Sequence, residues 1–357
     1  MRGIAGGRVA VALAAGLSAG LGAGAGGAQD PAGRDAGPAA APDGAERAGP
    51  SIGFWIDNDL FGGNTDRYYT NGFQFYYFSG DRPTYGSIDW LADLVPWIEP
   101  DGVRRYGFAF GQNIYTPSNL RARNPDPTDR PYAGWLYGRL SILNEAPRAV
   151  DRIDLDLGMV GPASLAEQTQ KAVHKVVRGA TYPEGWRYQL RDEPGVVLGY
   201  EHVWRGERPN TLGPLEWDLS PHVAGSVGNV LTMGAAGATL RLGGNMPAPV
   251  GALVMRPTSS IPYQDSDGRQ SGTRGFSWYV YTSAEGRAVG RNIFLDGNSD
   301  KPGRSVEKRT LVGAVQAGVA LRYGRYGLTY AQTIQTPEFE GQKSLTNYGS
   351  LRLSVQF

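Results

Sequence analysis

Between Asp57 and Gly72 the chain reads DNDLFGGNTDRYYTNG, which gathers carboxylate and amide oxygens beside a glycine pair. Oxygen donors of this kind suit a hard cation such as Ca2+, which takes about six to eight of them. The spacing is not that of an EF-hand, and the same residue types also build ordinary surface turns. A second polar stretch, GQNIYTPSNLRARNPDPTDRPYAGW (residues 111 to 135), carries Arg121, Arg123 and Arg130 among several prolines. Guanidinium forks on a stiff loop suit phosphate oxygens, although solvated surface charge needs no such role. The third feature is His174, one of three histidines. A lone histidine is often structural, but on a polar helix face it also suits a general base near neutral pH. Gln170, one helical turn earlier, is placed to position that base or a substrate.

Cysteine is absent, which removes thiol nucleophiles, thiolate metal sites and disulfides. No Gly-X-Ser-X-Gly elbow occurs, and nothing points to a serine triad, which assembles in space rather than in sequence. The residue types point to a metal and a histidine with water as the nucleophile. With 35 basic and 34 acidic residues, no global field attracts nucleic acid, so charge-based recognition must be local.

The elements that would position these groups are mostly strands. The exception follows Gly161-Pro162: residues 163 to 178 are rich in helix formers, with Ala172, Val173, Val176 and Val177 on one side. Glu167, Gln170, Lys171 and His174 fall on the other. Elsewhere, period-2 alternation and turn residues predict about twelve strands. They lie near 51–57, 71–79, 103–113, 133–143, 151–160, 194–205, 214–228, 230–243, 275–287, 308–322, 325–335 and 346–357. The last, YGSLRLSVQF, ends in the aromatic Phe357, in the manner of outer-membrane barrels. The 52 glycines, 19 tyrosines and 8 tryptophans suit many strands, tight turns and aromatic girdles at membrane interfaces. The expected fold is therefore all-β: a closed antiparallel barrel of about twelve strands in the outer membrane of a Gram-negative cell, with one short helix outside.

Residues 1–28, with Arg2, Arg8 and an Ala/Gly-rich apolar stretch, read as a cleaved signal peptide, and 29–50 as a disordered linker before the barrel domain, 51–357. If both ends lie in the periplasm, the connections after the first, third and fifth strands face outward. These are the three chemically rich segments. Two inner turns, 80–102 and 244–274, are longer than the short turns usual on that side.

Taken together, IDNDLFGGNTDRYYTNG (56–72), GQNIYTP and DRPYAGWLY (within 111–137), and GMVGPASLAEQTQKAVHKVV with PEGWRYQL (158–190) resemble the lipid A 3-O-deacylase family of outer-membrane proteins, in order and over nearly the whole mature chain. The resemblance implies a site between the barrel wall and a helix near the outer leaflet, and calcium-dependent hydrolysis of the ester-linked acyl chain at the 3 position of lipid A. It places the family's Asn-Asp pair on Asn58 and Asp59, its threonine on Thr70 and its catalytic histidine on His174. Arg121 or Arg123 stands where some members hold a phosphate with lysine. An acidic residue of some members falls on Ala180, with Glu184 nearby as a substitute; Asp59, Thr70 and Glu184 are then the expected metal ligands. Lipopolysaccharide and the barrel-assembly machinery are the expected partners, and a monomer the expected state. A phospholipase acting on glycerophospholipids and a non-catalytic channel are the competing readings.

Overall fold

The structure, a computed structural model, describes residues 49–61, 68–80, 95, 98, 99, 102–176, 182–206, 209–247, 275–300 and 302–357. The expected signal peptide, all but the last two residues of the expected linker, Ala180 and the predicted end of the helix beyond 176 lie outside the described residues. The strands are β1 (Ser51–Asn58), β2 (Tyr68–Phe78), β3 (Val103–Thr116), β4 (Ala133–Glu145), β5 (Ala149–Val160), β6 (Glu193–Trp204), β7 (Asn210–Leu212), β8 (Leu215–Gly228), β9 (Leu231–Gly244), β10 (Phe276–Asn292), β11 (Leu311–Tyr323), β12 (Tyr326–Gln335) and β13 (Thr346–Gln356). Each neighbouring pair is antiparallel. β1 pairs with β13, and β6 pairs with β8, so twelve strands close on themselves. The three-residue β7 pairs only with the start of β8, as a hairpin on the inner rim rather than a wall strand. Closure leaves no unpaired edge, which is the condition for strands to cross hydrocarbon. No helix among the described residues is long and apolar enough to cross a membrane.

Alternation along the strands is inverted relative to a soluble protein. Phe75, Phe108, Leu157, Leu198, Leu219 and Val315 point outward and are about half exposed. Inward positions hold charge in bidentate and bridging pairs. Arg139 donates to Asp156 at 2.5 and 2.6 Å, Arg241 to Asp218 at 2.9 and 2.5 Å, and Arg287 to Glu285 at 2.7 Å. Pairing is what makes charge tolerable in such an interior. The barrel is filled rather than open.

Phe357 meets the residue before β1 at one rim, where its N–H donates to the Pro50 carbonyl at 2.8 Å. At the opposite, outer rim, the short helix Ile293–Asp296 tucks Ile293, Phe294 and Leu295 into the mouth, all fully buried. Phe294 stacks on Tyr115 with ring centres 4.0 Å apart. Arg130, also fully buried, packs over the same tyrosine, 5.0 Å from its ring centre. Its Nη1 lies 3.1 Å from the Glu338 carboxylate and so ties the β3–β4 loop to the β12–β13 loop.

Candidate functional site

Register places the site on the outside of the wall. One row of cross-strand neighbours runs Gly349, Asn58, Asn71, Ile114, Gly134 over β13, β1, β2, β3 and β4. Residues so paired share a face of the sheet. That face is the outward one, because Phe108 and Phe110, in phase with Ile114 on β3, are exposed. Yet Asn58, Asn71 and Ile114 are buried. The wall here is covered.

The cover at one end is the helix Ala166–Val176, which packs on β3 and β4. It is preceded by a 3-10 turn, Pro162–Ser164, and by Leu165 in a left-handed conformation (φ 59°). This turn is why the regular helix begins three residues later than the sequence predicts. Gly134 has no side chain because none fits: a Cβ there would lie 2.1 Å from Ser164 Oγ and 2.2 Å from Ala166 Cβ. Gln112, one row down, donates its amide to the Ser164 carbonyl at 2.6 Å. Ala166 joins Ile114, Leu120, Tyr132 and Trp186 in a small buried cluster, and burial raises the Tyr132 hydroxyl well above the usual tyrosine range. At the other end of the row, a Cβ on Gly349 would lie 2.6 Å from the Cβ of Phe61, which belongs to the 3-10 turn Asp59–Phe61. Two glycines thus let two covering segments approach the sheet, with the asparagines between them. Gly134→Ala is expected to push the helix outward with the barrel still folded; protease access to the helix and the heat-dependent gel mobility of the barrel check the two halves of this expectation.

Asp59, immediately after β1, is completely buried. Thr70 is buried at a bulge between Tyr69 and Asn71, where its hydroxyl lies 2.6 Å from that of Thr116. Gln170 is buried on the helix, its carbonyl accepting from the Trp186 indole N–H at 2.7 Å, while its Nε2 has no hydrogen-bond partner. His174, one turn on, is half-buried. The i,i+4 pair of Glu167 and Lys171 holds the Lys171 ammonium above its usual range through their hydrogen bond.

The structure therefore brings Asn58, Asp59 and Thr70 to one rim of the wall and sets the helix of Gln170 and His174 over the same wall. Arg121 is exposed on the β3–β4 loop. Arg123 and Glu184, given separate roles by the sequence, engage each other. Arg123 Nε lies 2.6 Å from the Glu184 carboxylate, and that hydrogen bond raises the guanidinium pKa further. Among the described residues no group of three or more His, Asp or Glu side chains is arranged to hold a metal. Among the described residues, a hard cation at this rim would be offered the Asp59 carboxylate and the neutral oxygens of Asn58 and Thr70. That all-oxygen donor set fits calcium rather than zinc. Asn71, Thr116, Trp186 and the two glycines escaped the sequence reading. A tryptophan within PEGWRYQL was the available signal for the third.

The family model described as "Outer membrane protein LpxR" matches residues 25–357. Among solved structures, LpxR from Salmonella typhimurium is similar at 18% identity, covering 86% of this chain and 100% of its own, with a TM-score of 0.67. The β domain of the Bordetella autotransporter BrkA follows at 10% identity, 87% and 100% coverage, and a TM-score of 0.42. No curated protein sequence matches. The family match takes in every strand of the closed twelve-stranded wall, and the chain belongs to the LpxR family of outer-membrane proteins.

Proposed function

We propose that the chain is a lipid A 3-O-deacylase, hydrolysing the ester-linked 3-hydroxyacyl chain at the 3 position. The observation that carries this reading is the placement of Asn58 and Asn71, polar and buried on the lipid side of the wall, between the turn of Phe61 and the strands β3 and β4 that the helix of His174 covers. An open apolar groove of about 670 Å³ begins below them, lined by Phe54, Phe75, Phe108, Phe110 and Leu353. Phe54 lies four residues down β1 from Asn58, roughly 13 Å at the usual strand rise. A lipid whose polar head meets the covered row would have its chain alongside these rings. Family membership supports the same substrate.

In this mechanism an imidazole nitrogen of His174 takes a proton from water as the water oxygen bonds to the ester carbonyl carbon. The imidazolium then returns a proton to the departing 3-oxygen of the sugar, so that the products are a fatty acid and a free hydroxyl. Asn58 and Thr70 orient the ester, Gln170 fixes the helix through Trp186, and Arg121 is available to a headgroup phosphate. Asp59, with Asn58 and Thr70, would hold calcium, which when bound supplies Lewis acidity toward an ester carbonyl.

Lipid A from a host expressing the protein, analysed by mass spectrometry, should lose the mass of one 3-linked chain. Chelation should reduce hydrolysis by purified protein at least about 100-fold, the scale of losing an oxyanion-stabilising group, with recovery on adding calcium. Fatty-acid release from glycerophospholipid alone would overturn the lipid A assignment, and full activity in chelator would remove the ion from the mechanism.

A further inference from the structure

The outer surface beside the helix carries two arginines packed on one ring. The guanidinium carbons of Arg187 and Arg304 each lie 4.6 Å from the ring centre of Tyr188. Arg187 Nη2 donates to the Tyr188 hydroxyl at 2.7 Å. Arg304, from the β10–β11 loop, is fixed by the β3–β4 loop: Nη1 donates to the Pro125 carbonyl at 2.7 Å and Nη2 to Asn124 Oδ1 at 2.9 Å. Three segments distant in sequence thus converge to hold two like charges on one aromatic face or edge. Two other arginines of the loops are neutralised, Arg123 by Glu184 and Arg309 by Glu340. Arg187 and Arg304 have no carboxylate within ion-pair distance among the described residues. Asp126, which feels Arg304 from farther away, accepts from the Thr128 N–H and hydroxyl through Oδ1 at 2.8 and 2.7 Å.

We propose that Arg187 and Arg304, set by Tyr188, form a subsite for a phosphate monoester on the sugar headgroup of the substrate. Donors of two guanidiniums held by different segments match a dianion with three free oxygens, whereas a carboxylate is saturated by one fork. The Nε and Nη1 of Arg187 and the Nε of Arg304 remain available as donors. The subsite is coupled to the reacting region by one residue: Trp186, just before Arg187, holds Gln170 one helical turn from His174. A phosphate gripped here would be fixed relative to the helix. The identity of the ligand as a substrate headgroup rests on the deacylase reading; the anion site itself does not.

The test separates the two. Full-length protein in detergent is titrated calorimetrically with the acyl-free β-1,6-linked glucosamine disaccharide carrying phosphates at positions 1 and 4′, with each single monophosphate, and with the unphosphorylated disaccharide. Wild type and His174→Ala should bind the phosphorylated forms alike and ignore the bare sugar, and the better monophosphate identifies which phosphate is read. Arg187→Gln, which removes an exposed charge and no anchor, should weaken binding at least threefold, and Arg187→Gln/Arg304→Gln at least tenfold. With intact lipid A the double variant should raise KM with kcat retained. Equal affinity of wild type and both variants, or binding that ignores phosphate, overturns the subsite. Phosphate-dependent binding without any lipid A hydrolysis upholds it while overturning the deacylase reading.

Discussion

Replacing His174 with alanine should lower lipid A deacylation by about 10²- to 10⁴-fold, the usual worth of a positioned general base, and leave the barrel folded. The two halves of this expectation rest on different ends of one helix. Its N-terminal end is anchored: Ala166 sits against Gly134 in the cluster with Ile114 and Trp186, and Gln170 is tied to Trp186. His174 lies beyond those anchors, half-buried, and belongs to no buried apolar cluster. Its replacement leaves those anchors in place. Mass spectrometry of lipid A from cells expressing the variant reads the first half, and the shift in gel mobility on heating reads the second. A folded His174→Ala barrel that still releases the 3-linked chain at the wild-type rate would sink the proposed mechanism.

Breaking the tie across the barrel mouth should cost stability instead. Arg130→Met removes a fully buried guanidinium and strands the Glu338 carboxylate, whose side chain is only 11% exposed. Losing one partner of a buried pair costs about 3–5 kcal/mol, because the remaining charge keeps its desolvation penalty without its counter-charge. The loss of the guanidinium from the Tyr115 ring adds to this. Urea titration of the folded protein in lipid vesicles measures the change. Glu338→Gln added to Arg130→Met should recover most of it, since two neutral groups can share that space. A double variant as unstable as the single one would show that the stacking on Tyr115, rather than the ion pair, holds the mouth.

The wall was legible in the sequence because each strand repeats a two-residue pattern, and inversion of that pattern does not hide it. What disrupts the pattern was lost. β2 begins at Tyr68, three residues before the predicted start, because Tyr68 has φ 70° and a bulge at Thr70 interrupts the alternation. β10 runs on to Asn292, past the predicted stop at Arg287, because Arg287 is an inward residue satisfied by Glu285 and Gln335 rather than a turn. β7, with three exposed residues, had no apolar face to betray it. The segments rich in polar chemistry were visible, and so was the face of the helix. Invisible were the pairings made across more than a hundred residues: Arg130 with Glu338, Arg304 with Asn124, and Gly349 beneath Phe61. Arg123 and Glu184, given separate roles from sequence, meet because the backbone of Glu184 donates to Leu120.

The closed mouth and the ion-paired interior have a further consequence for traffic. With the candidate site on the outer face of the wall, nothing needs to pass through the barrel, and no gate has to open for a turnover. A lipid would arrive and a fatty acid would depart by sliding sideways within one leaflet, so encounters would be set by the crowding and composition of the surrounding membrane. The ion-paired interior serves such a site as an anvil: the wall is braced from within, and adjustment falls to the helix and loops laid against it.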